Sequence, residues 1–324
     1  MAGAFLILVP FVPYAALELS SAGGPTLGPA PAELGLNPSA HPFCPVGAPG
    51  GPDTGGPPSP LSARAVRERS RPWEWKALET PGWKLLRTDR AVLRGDVGLD
   101  VLRASGAYAE VFLDMLSASL GGDASGIVFS LRLFSEERDF RRYACRMGAS
   151  NAESFYDPRT AEVVLCPDGA RGEAWLQKTL AHELTHAYMD RVWRRTGPLW
   201  FAEGMAEYFS NFSVRNGRVC PGAVDRRALL LVRLQDAPSL ARLVELGREE
   251  MYGPEFPGRY AQAWSFVHYL FWRNDGLVDL LLRGGRLERL EELERDWKNY
   301  VARLDEGDSS NAAPENRPAP GRLR

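Results

Sequence analysis

Apolar and polar positions along the chain change period near its middle. "GWKLLRTD" (Gly82–Asp89) and "GIVFSLRLF" (Gly126–Phe134) alternate in the way of half-buried strands. Between them, Val97–Leu120 repeats its apolar residues at helical spacing. In "SEERDFRRYA", Ser135 is the expected N-cap of a further helix, with Glu137 and Arg138 behind it. "ESFYDPRTAEVVLC" predicts a hairpin: a short strand, a turn at Asp157-Pro158, and a strand over Ala161–Cys166. Beyond Arg171 the pattern is almost entirely helical, with helices expected over Gly197–Phe212, Asp225–Leu234, Ser239–Leu246, Tyr260–Trp272 and Leu287–Leu304. A half that mixes strands with helices, followed by a helical half, is an α+β arrangement: a small mixed sheet with one key helix, then a mostly helical subdomain.

Both ends of the chain break this pattern. Residues 23–70 are dominated by Gly, Pro, Ala and Ser, as in "GAPGGPDTGGPPSP", and bury too little apolar surface to offset the entropy of ordering; they read as a linker. Residues 305–324 read as a tail of the same kind, which leaves 71–304 as the folded domain. Residues 1–22 form an apolar leader. The run Ala2–Leu17 with Ser20, Ser21 and Ala22 after it suits the core and cleavage region of a secretory signal. No Lys or Arg precedes the run, and Pro10 and Pro13 interrupt it, so export and cytoplasmic residence both stay open. The run is too short and broken for a stable membrane span.

Composition narrows the function classes. The 324 residues are 44% hydrophobic and 25% charged with a formal net charge of −2, an ordinary globular balance with no global field that attracts nucleic acid. Basic residues are dispersed rather than grouped with aromatics. The four cysteines, Cys44, Cys145, Cys166 and Cys220, form no C-x-x-C pair, which argues against a structural zinc knuckle. A Cys145–Cys166 disulfide is compatible with an exported protein. Nothing in the sequence sets an oligomeric state.

"LAHELTHAYMD" (Leu180–Asp190) changes the picture. On a helix, His182 and His186 lie one turn apart on one face and can present two imidazoles to one ion. Glu183 is rotated about 100° from His182, which sets its carboxylate beside the ion as a base for metal-activated water. Catalytic zinc takes three protein ligands and keeps one open position. The third candidate is Glu203, in the helix "GPLWFAEGMAEYFSNF", because a carboxylate among Trp200, Phe201, Met205 and Ala206 is costly unless paired or bound to a metal. Glu207, one turn on, can reach the second nitrogen of a ligand histidine. Tyr260 opens "YAQAWSFVHYL" and His268 follows in the same helix; on pattern alone they read as a helix-start packing residue and a satisfied core histidine.

His182-Glu183-Leu184-Thr185-His186 followed by "LWFAEGMAEYF" resembles the gluzincin metallopeptidases, in which one helix carries H-E-x-x-H and a second carries the glutamate ligand in an E-G-x-A context. The peptidase-MA-like bacterial proteins are the most similar group, and "ESFYDPRTAEVVL" and "YAQAWSFVHYL" also resemble it. The resemblance covers Trp83–Leu270 in pattern and is specific at His182–His186 and Trp200–Tyr208. It implies a zincin-like fold, one zinc ion held by His182, His186 and Glu203, Glu183 as general base, Glu207 behind the histidine, a downstream tyrosine or histidine as donor to the developing oxyanion (Tyr260, with His268 behind it), and a peptide or protein substrate. The G-x-M-E-N segment of the aminopeptidase members is absent; "MGASNAESF" does not match it. By this reading an extended peptide adds to the strand Ala161–Leu165 as the upper edge of the cleft. A different class stays open beside it: a zinc-stabilised, non-catalytic binding or regulatory module. The retained Glu183 weighs against that, since a purely structural site needs no spare carboxylate.

Overall fold

The computed structural model describes residues 73–167, 172–194, 197–215, 218–234 and 238–304, together with the backbone of Ile7–Pro10. The expected linker and tail, and the rest of the leader, lie outside the described residues. In chain order the elements are β1 (Ile7–Pro10), β2 (Glu74–Ala77), β3 (Lys84–Arg87), β4 (Ala91–Gly95), α1 (Leu99–Leu120), β5 (Phe129–Leu133), α2 (Glu137–Met147), β6 (Ala152–Asp157), β7 (Glu162–Leu165), α3 (Gly172–Trp193), α4 (Leu199–Ser210), β8 (Phe212–Arg215), β9 (Arg218–Pro221), α5 (Arg226–Leu234), α6 (Leu240–Val244), α7 (Arg248–Met251), α8 (Phe256–Arg273), α9 (Leu277–Leu282) and α10 (Leu290–Arg303). This is the expected α+β class.

Seven strands form one mixed sheet in the order β1-β6-β7-β5-β4-β3-β2. The β4–β5 and β5–β7 pairs are parallel and the remaining pairs antiparallel. The predicted hairpin is β6–β7, closed by Asp157, which accepts the N–H of Arg159. Strand β7, however, is paired on both sides, by β5 and β6, so it offers no edge to a peptide and the expected role of Ala161–Leu165 as the cleft's edge is corrected. The neighbouring β6 lies nearer the sheet's end and pairs there with β1.

Period-two alternation sorts the sheet's side chains. Leu93, Phe129, Leu131, Leu133, Val163 and Leu165 join the main core under α1 and α3, whereas Phe155 and Val164 meet Phe134 and Phe140 beneath α2 on the other face. Glu162, also on that second face, is neutralised by Arg132 at 2.8 Å and receives the Tyr143 hydroxyl at 3.0 Å. The N-cap expected at Ser135 is also corrected. Helix α2 is capped at Glu136, because Asp96 captures Ser135 by its N–H (2.7 Å) and its hydroxyl (2.9 Å).

In the helical half, α8 is the hub. It packs on α4, α5, α7, α9 and α10, and α4 packs in turn on α3. The α4–α8 approach is close because position 204 is glycine: a Cβ there would lie 2.6 Å from the carbonyl oxygen of Ala263 and 2.7 Å from Val267 Cγ2. The β8–β9 hairpin interrupts the expected all-helical run. Among the described residues, no helix is long and apolar enough to cross a membrane. No disulfide joins Cys145 and Cys166, the pairing that export would have allowed; Cys220 is disulfide-bonded, and Cys44 lies outside the described residues.

Candidate metal centre

Helix α3 is buried around its whole circumference from Leu180 to Met189. Such a helix is normally apolar on every face. This one carries His182, Glu183, Thr185 and His186 in its buried stretch, and each polar group then needs a partner. Thr185 finds a local one, donating to the carbonyl of Ala181 at 2.8 Å. Glu183 and the two histidines also meet groups from other elements.

His182 and His186, one turn apart, bring their Nε2 atoms to 3.1 Å. Helix α4 crosses α3 and delivers the fully buried Glu203, whose Oε2 lies 3.5 Å from His182 Nε2 and 3.6 Å from His186 Nε2. The three residues form a buried cluster that could hold a metal ion, with one ligand atom of each within 4.8 Å of the others. No side chain hydrogen-bonds Glu203 Oε2 or His186 Nδ1. The other oxygen of Glu203 accepts the Tyr252 hydroxyl at 2.7 Å, which fixes the carboxylate with Oε2 turned to the histidines. The Nδ1 of His182 faces Glu207 Oε1 at 3.2 Å. Sequence reasoning joined His182, His186, Glu203 and Glu207 in one site, and the fold brings all four together.

Glu183 lies beside this cluster. Its Oε1 accepts the Ser154 hydroxyl from β6 at 2.7 Å, while its buried Oε2 has no hydrogen-bond partner. Burial raises the affinity of Glu183 for a proton, and the two histidines and Ser154 oppose that without cancelling it. Glu203 is driven the other way: burial favours its neutral form, but His186 and His182 hold it well below the usual carboxylate range. Burial also disfavours charge on His182, yet Glu203 and Glu207 outweigh it and push that imidazole up to about 10. Three carboxylates thus surround two imidazoles, two of them, Glu183 and Glu203, fully buried, and this field favours a cation.

Tyr260 of α8 stacks beside His182, ring centroids 6.5 Å apart and planes 11° from parallel, and burial together with Glu203 raises its hydroxyl well above its ordinary value. His268 is elsewhere. Two turns further along α8, about 12 Å by helix rise, its Nε2 donates to the carbonyl of Gly222 at 2.9 Å and its Nδ1 meets the Tyr300 hydroxyl at 2.5 Å. It is a satisfied histidine of the helical half, and burial depresses its pKa to about 4.

Sequence reasoning missed Ser154, Tyr252 and Lys178. Lys178 sits one turn before His182 and reaches Glu207 at 3.9 Å and Asp225 at 3.4 Å. Its helical spacing from His182 was the one available signal; Ser154 and Tyr252 lie in stretches whose local pattern says nothing about the site.

A family model described as "Protein of unknown function (DUF1570)" matches residues 177–285, which run from within α3 through α4 and α8 and include every site residue named above except Ser154. No curated protein matches the chain.

Proposed function

We propose that this protein is a zinc-dependent hydrolase of peptide bonds, of the gluzincin type. The observation that carries the reading is a second buried carboxylate, Glu183, standing beside a His-His-Glu cluster with one oxygen anchored and the other unpartnered. The donor set fits zinc. Four ligands at about 2.0–2.1 Å in a tetrahedron stand about 3.3–3.4 Å apart, and the three contacts here are 3.1, 3.5 and 3.6 Å. Two imidazole nitrogens and one carboxylate oxygen, with a fourth position left for water or substrate, are the ligand set of a catalytic site. When bound, such an ion polarises a carbonyl and acidifies water.

The chain's own groups supply the rest. Glu183, with its raised proton affinity, takes the proton of the attacking water on Oε2 and passes it to the leaving amine. Ser154 keeps the carboxylate aimed while this happens. The Tyr260 hydroxyl, held protonated by burial, donates to the oxygen on which negative charge develops. Tyr252 holds the ligand carboxylate in one orientation.

A specific observation favours a second reading, a zinc-stabilised binding or regulatory module: His186, Glu183 and Glu203 are all 0% exposed. One substitution separates the two. Glu183→Gln keeps shape and ligands but removes the base, so the variant should stay folded and zinc-loaded while cleavage of a peptide library falls about 10²–10⁴-fold. Equal cleavage by wild type and variant removes Glu183 from the role of base. A zinc-loaded wild type that cleaves nothing across a broad library puts the binding module ahead.

A further inference from the structure

The contacts of Glu207 continue outward from the metal centre. Residues four apart share a helix face, so Lys178 and His182 lie in line along α3. The Glu207 carboxylate, arriving from α4, is gripped by both: Oε1 is 3.2 Å from His182 Nδ1, and Oε2 is 3.9 Å from Lys178 Nζ. Lys178 is in turn 3.4 Å from Asp225 Oδ2. Asp225 has its other oxygen engaged as well, because Oδ1 accepts the N–H groups of Arg227 (2.9 Å) and Ala228 (3.0 Å) at the start of α5. Each carboxylate therefore divides its two oxygens between two partners, and the line α5, Asp225, Lys178, Glu207, His182 joins three helices at the candidate site.

As a plain ion pair this arrangement is worth little. The Lys178 side chain is 34% exposed and those of Glu207 and Asp225 about 20%, and pairs in contact with solvent contribute about 0–1 kcal/mol. Orientation is another matter. A metal-ligating histidine is set by what its second nitrogen meets, and removing that partner costs about 10–100-fold in metal affinity. Glu207 meets that nitrogen only while its carboxylate stays turned to α3, and the Lys178 charge 3.9 Å from Oε2 favours that orientation.

We propose that Lys178, anchored by Asp225, is a positioning residue for the metal centre: it holds the Glu207 carboxylate against Nδ1 of His182 and so presents Nε2 of that histidine to the ion. The proposal rests on the metal-binding part of the functional reading and not on hydrolysis.

The test is zinc affinity of the full chain, measured by competition with a chromogenic chelator, with the visible spectrum of the cobalt-substituted protein as a second readout. Lys178→Met keeps the apolar stem without the charge and should weaken zinc roughly 3–10-fold, less than loss of the direct partner. Lys178→Arg should restore affinity to within about twofold. Asp225→Asn retains an oxygen to cap α5 but weakens the hold on Lys178, so it should shift affinity in the same direction as Lys178→Met; it also carries the test should Lys178→Met fail to fold. In a Glu207→Gln background Lys178→Met should add no further loss, since the two act in series. The cobalt bands should move the same way in Lys178→Met and Glu207→Gln. Unchanged zinc affinity in a folded Lys178→Met or Asp225→Asn protein, or an undiminished loss in the Glu207→Gln background, overturns the proposal. A wild type that binds no zinc overturns the metal reading with it, whereas zinc binding without hydrolysis overturns only the peptidase reading.

Discussion

Glycine 204 lies next to the candidate ligand Glu203, and replacing it with alanine sets two effects of opposite sign against each other. Within an exposed helix, Gly→Ala gains about 0.8–1 kcal/mol from backbone entropy. Position 204 lies inside α4 at the crossing with α8, and the added Cβ would stand 2.6 Å from the carbonyl oxygen of Ala263, 2.9 Å from that carbonyl's carbon and 2.7 Å from Val267 Cγ2, against ordinary contact beginning at 3.4 Å. The shortest of these approaches is to backbone, which has no rotamer to change, so relief requires the two helices to part. Overpacking of this kind costs about 1–3 kcal/mol, and the steric term should win. We expect a net destabilisation of up to about 2 kcal/mol, read as a lower urea midpoint at unchanged slope and a fall in Tm of about 2–4 °C per kcal/mol. Because Glu203 and Tyr260 ride on the two helices being separated, zinc affinity should fall as well. A Gly204→Ala protein with Tm at or above wild type and undiminished zinc binding would refute the argument.

Glu203→Ala removes the one candidate ligand of the cluster that lies outside α3, and zinc affinity should drop by more than the roughly 10–100-fold typical of losing an outer partner; full retention of affinity would exclude Glu203 as a ligand. The two tyrosines should separate by readout. Tyr252→Phe should weaken zinc about tenfold by freeing the Glu203 carboxylate, whereas Tyr260→Phe should leave zinc in place and slow turnover about 10²–10³-fold, both measured by chelator competition and peptide cleavage; the reverse pattern would exchange their roles. His268, depressed to about 4 in the fold from about 6.5 unfolded, stays neutral in the native state while the unfolded chain takes up a proton. Its share of stability is thus present above the unfolded pKa and is lost as pH falls from 6.5 toward 4. Urea unfolding at pH 7 and pH 5 should differ by about 2 kcal/mol more in wild type than in His268→Gln, and equal differences would show that His268 is not the titrating group.

The sequence determined what local periodicity can determine. The four-residue step from His182 to His186 fixes two imidazoles on one helix face whatever surrounds them, and an acid at 203 inside an apolar helix already required a partner. Alternation in Phe129–Leu133 was equally legible, because a half-buried strand writes its two environments into successive residues; the β6–β7 hairpin, buried on both faces, was legible instead from its turn at Asp157-Pro158. Strand β2 was silent for the converse reason: all four of its residues are exposed, so no contrast exists to read. Tertiary structure decided every relation between segments distant in sequence. Pairing by β5 and β6 closed both sides of β7, and the crossing of α3 and α4 brought Oε2 of Glu203 within 3.6 Å of both histidines. Ser154, Tyr252 and Lys178 acquire their partners across 29, 49 and 47 positions of chain. Helical and strand periods specify which way a side chain faces; which distant group waits there follows from how helices and sheet pack, through contacts such as the glycine that lets α4 lie against α8.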